Sequence, residues 1–232
     1  GQSLVDALND QNDHVRQAAA MALGRIGTPA IAAVPDLIKL LRDESASVRC
    51  GAALALGRFG SGAGEAVPVL VELLAKRDEP ARRWALAALA ELGPAAKDAV
   101  PQLIATVEDA DDPLREKAMD ALGRIGPAAA AAVPTLIRAL SDPDAPPIAD
   151  TVQQLGEIDE SDLDRALDIV RRYPSINRSG GTGRQRTPAE HAMESLINIG
   201  DAAGPELIRA LQHDDAAIRA AVVRVLCESP DL

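Results

Sequence analysis

The sequence predicts an all-α superhelix of stacked helix pairs, with no strands, and three observations predict it. Shifted on itself by 33 residues, the chain brings "VRQAAAMALGRIG" (15–27), "VRCGAALALGRFG" (48–60), "ARRWALAALAELG" (81–93) and "LREKAMDALGRIG" (114–126) into register. A second string keeps the same period: "VPDLIKLL" (34–41), "VPVLVELL" (67–74), "VPQLIATV" (100–107) and "VPTLIRAL" (133–140). Phe59, Trp84 and Tyr173 are the only aromatics, so the core falls to Ala, Leu, Ile and Val, of which Ala and Leu are strong helix formers. A helix pair this short buries too little by itself, so the units must stack on one continuous core.

Taken in order, the chain opens on "QSLVDALND", a helix of the second type. The first-type helix follows with Val15, Ala19, Ala22, Leu23 and Ile26 on one face. Gly27, Gly60, Gly93 and Gly126 close these helices, where a left-handed C-terminal cap is expected. Pro35, Pro68, Pro101 and Pro134 stand at the start of each second-type helix, where a missing N–H is harmless and a fixed φ helps. "PIADTVQQLGEID" (147–159) continues the period without a slip, so residues 1–159 read as the regular part. "SDLDRALDIVRRY" (161–173) reads as a helix that Ser161 caps and Pro174 ends. Residues 174–187 read as an Arg- and Gly-rich loop, after which terminal units resume over 188–232. The chain ends on a first-type helix, and neither end shows a polar capping unit. A segment of a longer protein, or a homo-dimer formed through uncapped ends, would account for that.

The period alone also suits ankyrin and tetratricopeptide repeats. The T-P-L-H-x-A motif of the first and the fixed large aromatics of the second are missing. The pattern V-P-x-L-I-x-L-L-x-D followed by V-R-x-x-A-x-x-A-L-G-x-I-G resembles HEAT repeats, in particular the short PBS-lyase HEAT-like kind. The resemblance implies a right-handed α-solenoid in which a short Asp and the V-R arginine link neighbouring units in a polar ladder. Asp10, Asp43, Asp109 and Asp142 match the acidic position, and Arg16, Arg49, Arg82, Arg115 and Arg219 the basic one; Lys76 and Ile148 break the two series.

The resemblance further implies that the V-R helices line the concave side. Counting Val15 as the first residue of its helix, positions three, four, seven and eleven then project from that surface. They read Gln17, Ala18, Met21, Arg25; Cys50, Gly51, Leu54, Arg58; Arg83, Trp84, Ala87, Glu91; Glu116, Lys117, Asp120, Arg124; Ala149, Asp150, Gln153, Glu157; and Glu190, His191, Glu194, Asn198. Met21, Leu54 and Trp84 beside Arg25, Arg58 and Arg83 are the residue types that anchor protein partners, so this half is the candidate partner-binding surface. The expected function is non-catalytic binding of a protein or peptide, or scaffolding.

Composition narrows the alternatives. Lys and Arg number 24 against 35 Asp and Glu, a formal charge of −11, which disfavours generic binding to nucleic acid or anionic membranes. No apolar run is long enough to span a bilayer, and Cys50 and Cys227 form no paired framework, which favours a cytoplasmic setting. The segment 171–186 reverses the charge locally, and Arg178, Arg184 and Arg186 within it are candidates for an anion-binding loop, serving phosphate, acidic peptide or nucleic acid. Its "GGTG" lacks the Lys-Ser/Thr ending of a phosphate loop. No cofactor, metal or catalytic residue is assigned. Glu190, His191 and Glu194 with Asp150 and Glu157 offer oxygen and nitrogen donors, but without metal-specific spacing. Among enzymes that share the repeat, the deoxyhypusine hydroxylase relatives use His-Glu pairs, absent here, and the DNA glycosylase relatives need a basic groove. A phycobilin-lyase-like role on a tetrapyrrole-bearing partner stays open, since its motif is the repeat itself.

Overall fold

In the computed structural model the described residues are 2–76, 79–140 and 187–228. Their helices form two rows. The first row holds α2 (Asp13–Ile26), α4 (Ala46–Arg58), α6 (Glu79–Leu92), α8 (Arg115–Ile125), α10 (Pro188–Ile199) and α12 (Ala216–Glu228). The second holds α1 (Gln2–Ala7), α3 (Val34–Leu40), α5 (Val67–Leu74), α7 (Val100–Glu108), α9 (Val133–Ala139) and α11 (Gly204–Ala210). Each first-row helix packs on its neighbours in that row and on its partner in the second row, the arrangement of an α-solenoid. No strand occurs among the described residues.

The rows are joined inside each unit by a short 3-10 turn, such as Thr28–Ala33 and Gly126–Ala132. Gly27, Gly60, Gly93, Gly126 and Gly200, which enter these turns, have positive φ, but Gly27 and Gly126 do not take the left-handed helical cap that the sequence suggests. Gly27 lies at φ 71°, ψ −145° and Gly126 at φ 69°, ψ −141°, a region open in practice to glycine alone. The extended ψ sends the chain straight into the next turn instead of curling it back on the helix. Proline then opens the second-row helix in its first turn, as expected.

One leucine position in each row recurs as a fixed point of the core. Leu23, Leu56, Leu89, Leu122 and Leu196 in the first row and Leu37, Leu70, Leu103, Leu136 and Leu207 in the second are all at most 1% exposed. The single apolar face predicted for the first-row helices is corrected in two respects. Ala20, Ala53, Leu86 and Met119 are buried too, so each of these helices is covered on more than one face. Val15 and Ile26 are 38% and 46% exposed, whereas their counterparts Val48 and Ile125 are at 0%. Those positions face the preceding unit, and α2 begins the row.

The polar ladder is present in altered form. Arg16 donates from Nε to Asp43 Oδ2 and from Nη2 to Asp43 Oδ1, each at 2.9 Å, and from Nη1 to the Asp10 and Gln11 carbonyls. One guanidinium thus ties the turn before its own helix to the turn before the next. Arg49 and Arg219 grip the carbonyls of Asp43 and Glu44, and of His213 and Asp214, in the same way. In the third unit the acidic partner moves. Arg82 pairs with Asp112, not Asp109, and Asp112 also accepts from Leu114 N–H at 2.9 Å. Helix α7 runs on to Glu108, and the Asp109 carboxylate accepts from Asp111 N–H instead. Asp10 likewise serves its own turn, accepting from Asn12 N–H. Asp142 lies outside the described residues.

Burial of the Asp43 carboxyl opposes its charge, but the hydrogen bonds from Arg16 and from Ser45 N–H outweigh it and hold the group below its ordinary value. A carboxyl with a depressed folded-state pKa stabilises fully above the unfolded value of about 3.9, and loses that stabilisation as pH falls through the folded value. Asp43→Asn is therefore expected to lower the urea midpoint at pH 7 and to flatten its decline below about pH 4. Equal acid slopes for variant and wild type would refute this.

Candidate functional site

The first-row helices meet along a seam of small residues. A Cβ added to Gly24 would lie 2.7 Å from Ala55 Cα, one on Gly57 3.3 Å from Ala88 Cα, and one on Gly123 2.9 Å from Ser195 Cα. This close approach fixes how the surface positions interlock. A Cβ on Gly51 would meet Gln17 Cγ at 3.2 Å, so position four of one helix leans on position three of the helix before it. The same relation holds at His191, whose Nδ1 lies 2.7 Å from Asp120 Oδ1 and whose Nε2 lies 3.6 Å from Glu116 Oε2. By that register Trp84 falls over Cys50 and Leu54.

Trp84 is half-buried and packed against the core, and Met21, Leu54 and Cys50 are half-buried beside it in the row. Burial pushes the Cys50 thiol up, away from the reactive thiolate. Arg25, Arg58 and Arg83 are exposed. Neither Arg25 nor Arg58 has an ion-pair partner among the described residues, whereas Arg124 at the same position bonds Glu91 at 2.7 Å. The α2–α4–α6 stretch therefore combines half-buried apolar side chains with two uncommitted guanidinium groups.

Among the described residues of the acidic half, Glu190 and His191 are engaged in structure. Thr187 accepts from Glu190 N–H while the Glu190 carboxylate accepts from Thr187 N–H, a reciprocal helix cap, so Glu190 holds the start of α10. His191 is held by Asp120 and Glu116. Asp150, Glu157, Arg178, Arg184 and Arg186 lie outside the described residues. A feature that sequence reasoning missed is a cavity of about 320 Å³ bordered by Val107, Glu108, Arg115, Thr135 and Arg138. Its polar groups answer one another: Glu108 accepts from Thr135 and Arg138. Arg115 donates to the Val107 carbonyl.

A family model described as HEAT repeats matches residues 1–90 and 67–156, and one described as PBS lyase HEAT-like repeat matches residues 189–213. Among solved structures, the chain is similar to an engineered protein at 23% identity and TM-score 0.55, over 98% of this chain and 95% of that one. A designed armadillo repeat protein in complex with the peptide (KR)4 aligns at 19% identity and TM-score 0.52, over 98% of each chain. The karyopherin Kap121p, bound to the extreme C-terminus of the protein phosphatase Cdc14p, aligns at 16% and TM-score 0.58, over 98% of this chain and 25% of that one. At these identities the likeness concerns the fold alone. No curated protein matches.

Proposed function

The chain belongs to the HEAT-repeat family, and on that footing we propose that it is a non-catalytic binding or scaffold module for a protein or peptide. The partner seats on the α2–α4–α6 surface, with Trp84, Leu54 and Met21 as apolar anchors and Arg25, Arg58 and Arg83 as polar ones. The observation that carries this reading is the pairing of half-buried Trp84 and Leu54 with Arg25 and Arg58, which make no ion pair among the described residues. Large apolar side chains beside arginine are where interfaces concentrate their energy. Two similar solenoids are held with a peptide or a C-terminal tail, which fits the same use of this fold. Tetrapyrrole chemistry finds no support at Cys50, whose thiol burial raises.

Affinity capture from the source organism with wild type and Trp84→Ala tests the surface. Recovery of the partner is expected to fall at least about tenfold, the effect of losing an interface anchor. The stability change should stay below about 2 kcal/mol, since Trp84 is only half-buried. Unchanged recovery with Trp84→Ala, and with Arg25 and Arg58 both replaced by Glu, would reject it.

A further inference from the structure

Two first-row arginines stand apart from the rest of the charge in this chain. With 35 Asp and Glu against 24 Lys and Arg, a surface guanidinium has ample choice of carboxylate. Arg16, Arg82, Arg124 and Arg138 each take one. Arg25 and Arg58 are exposed and take none among the described residues.

The local sequence keeps carboxylates away from both. Helix α4 has no Asp or Glu, and α2 has only Asp13, which accepts from the Ser45 hydroxyl at 3.0 Å. From Asp13 to Arg25 the helix rises about 18 Å, so the two stand at opposite ends. Glu91 occupies the same place in α6 and packs beside Gly57, where an added Cβ would meet its Cβ at 3.3 Å. Its carboxylate bonds Arg124 of the following helix instead. Glu65, in the turn after α4, pairs with neither arginine among the described residues.

The fold also sets a spacing. Met21 precedes Arg25, and Leu54 precedes Arg58, by one helical turn, so each helix shows an apolar side chain and a guanidinium on one face. Packed helices lie about 8–10 Å apart, which repeats the pair at that interval. An extended peptide advances about 10 Å in three residues. A segment crossing α2 and α4 therefore meets an apolar site and a cation at every third residue, and Trp84 carries the apolar track on to α6 with Arg83 beside it.

We infer that the partner of this surface is an acidic segment, extended, with a carboxylate at every third residue and an apolar side chain next to each. The inference rests on the reading of α2–α4–α6 as the partner surface, and adds the sign and spacing of what binds there. A guanidinium pairs with a carboxylate through two parallel N–H donors, so Arg25 and Arg58 supply orientation as well as charge. Because both are exposed, salt screens the attraction. A basic segment would meet like charge at both.

Fluorescence anisotropy of the full chain with labelled (Glu-Leu-Ser)3 and (Lys-Leu-Ser)3 peptides tests it. The Glu peptide is expected to bind, more weakly as NaCl rises, and the Lys peptide is not. Arg25→Gln with Arg58→Gln is expected to weaken the Glu peptide about fivefold, the effect of losing two exposed ion pairs. Arg25→Lys with Arg58→Lys should restore most of that loss. Equal binding of the two peptides, no binding of the Glu peptide at about 1 mM, or unchanged affinity in the Gln pair would overturn the inference. So would tighter binding of an oligo-dT of equal charge. The surface itself is judged separately: a partner whose capture depends on Trp84 but not on salt, Arg25 or Arg58 leaves the surface in place and removes its acidic preference.

Discussion

Gly123→Val is expected to lower stability by about 1–3 kcal/mol, the range for forcing extra atoms into a packed contact. The reason is that its Cβ would stand 2.9 Å from a backbone atom, Ser195 Cα, and 3.1 Å from Ser195 Oγ. Neither helix can yield without breaking the bond from Ser195 to the Met119 carbonyl. The gain in helix propensity on losing a glycine, about 1 kcal/mol at most, does not offset this. Gly57→Ala is the contrast. Its nearest contacts would be 3.3 Å, and Ala90 already stands at the equivalent place in the third unit, so a near-neutral midpoint is expected. Chemical denaturation of both variants checks the pair; equal midpoints would show that the seam is soft.

Leu89→Ala is expected to be larger still, about 2–5 kcal/mol, because a fully buried leucine leaves a cavity. Leu89 lies in the middle of the row, with α4 on one side and α8 on the other, so neither neighbour can close the gap without moving its own joint. At about 2–4 °C per kcal/mol for a chain of this size, the thermal midpoint should fall by about 5–15 °C. Ala87→Ser, exposed on the same helix, should stay within about 0.5 kcal/mol of wild type. A Leu89→Ala midpoint within about 2 °C of wild type, a change under about 1 kcal/mol, would mean that α6 is not a core element.

Most of the fold was legible because the period repeats both the apolar positions and the punctuation, with proline opening one helix and glycine closing the other. What stayed illegible was decided by contacts that a period does not encode. In "VEDADDPLR" four carboxylates crowd one turn, and nothing in their spacing says that Asp112 folds inward while Asp109 turns out. On the candidate surface the residue types were readable, but the self-neutralisation of the acidic half was not. Glu190 and His191 show their roles only once Thr187 and α8 are placed beside them.

The small-residue seam also has a consequence for shape. First-row helices approach most closely at Gly24, Gly57 and Gly123, with Ala90 at the same place in the third unit. A methyl group added there would press two first-row helices apart without touching the second row, so it is expected to act as a wedge between units. Ala90 is such a wedge in the middle of the stack. Substitution at these positions is expected to re-aim the α2–α4–α6 surface against the units that follow while leaving its own side chains unchanged.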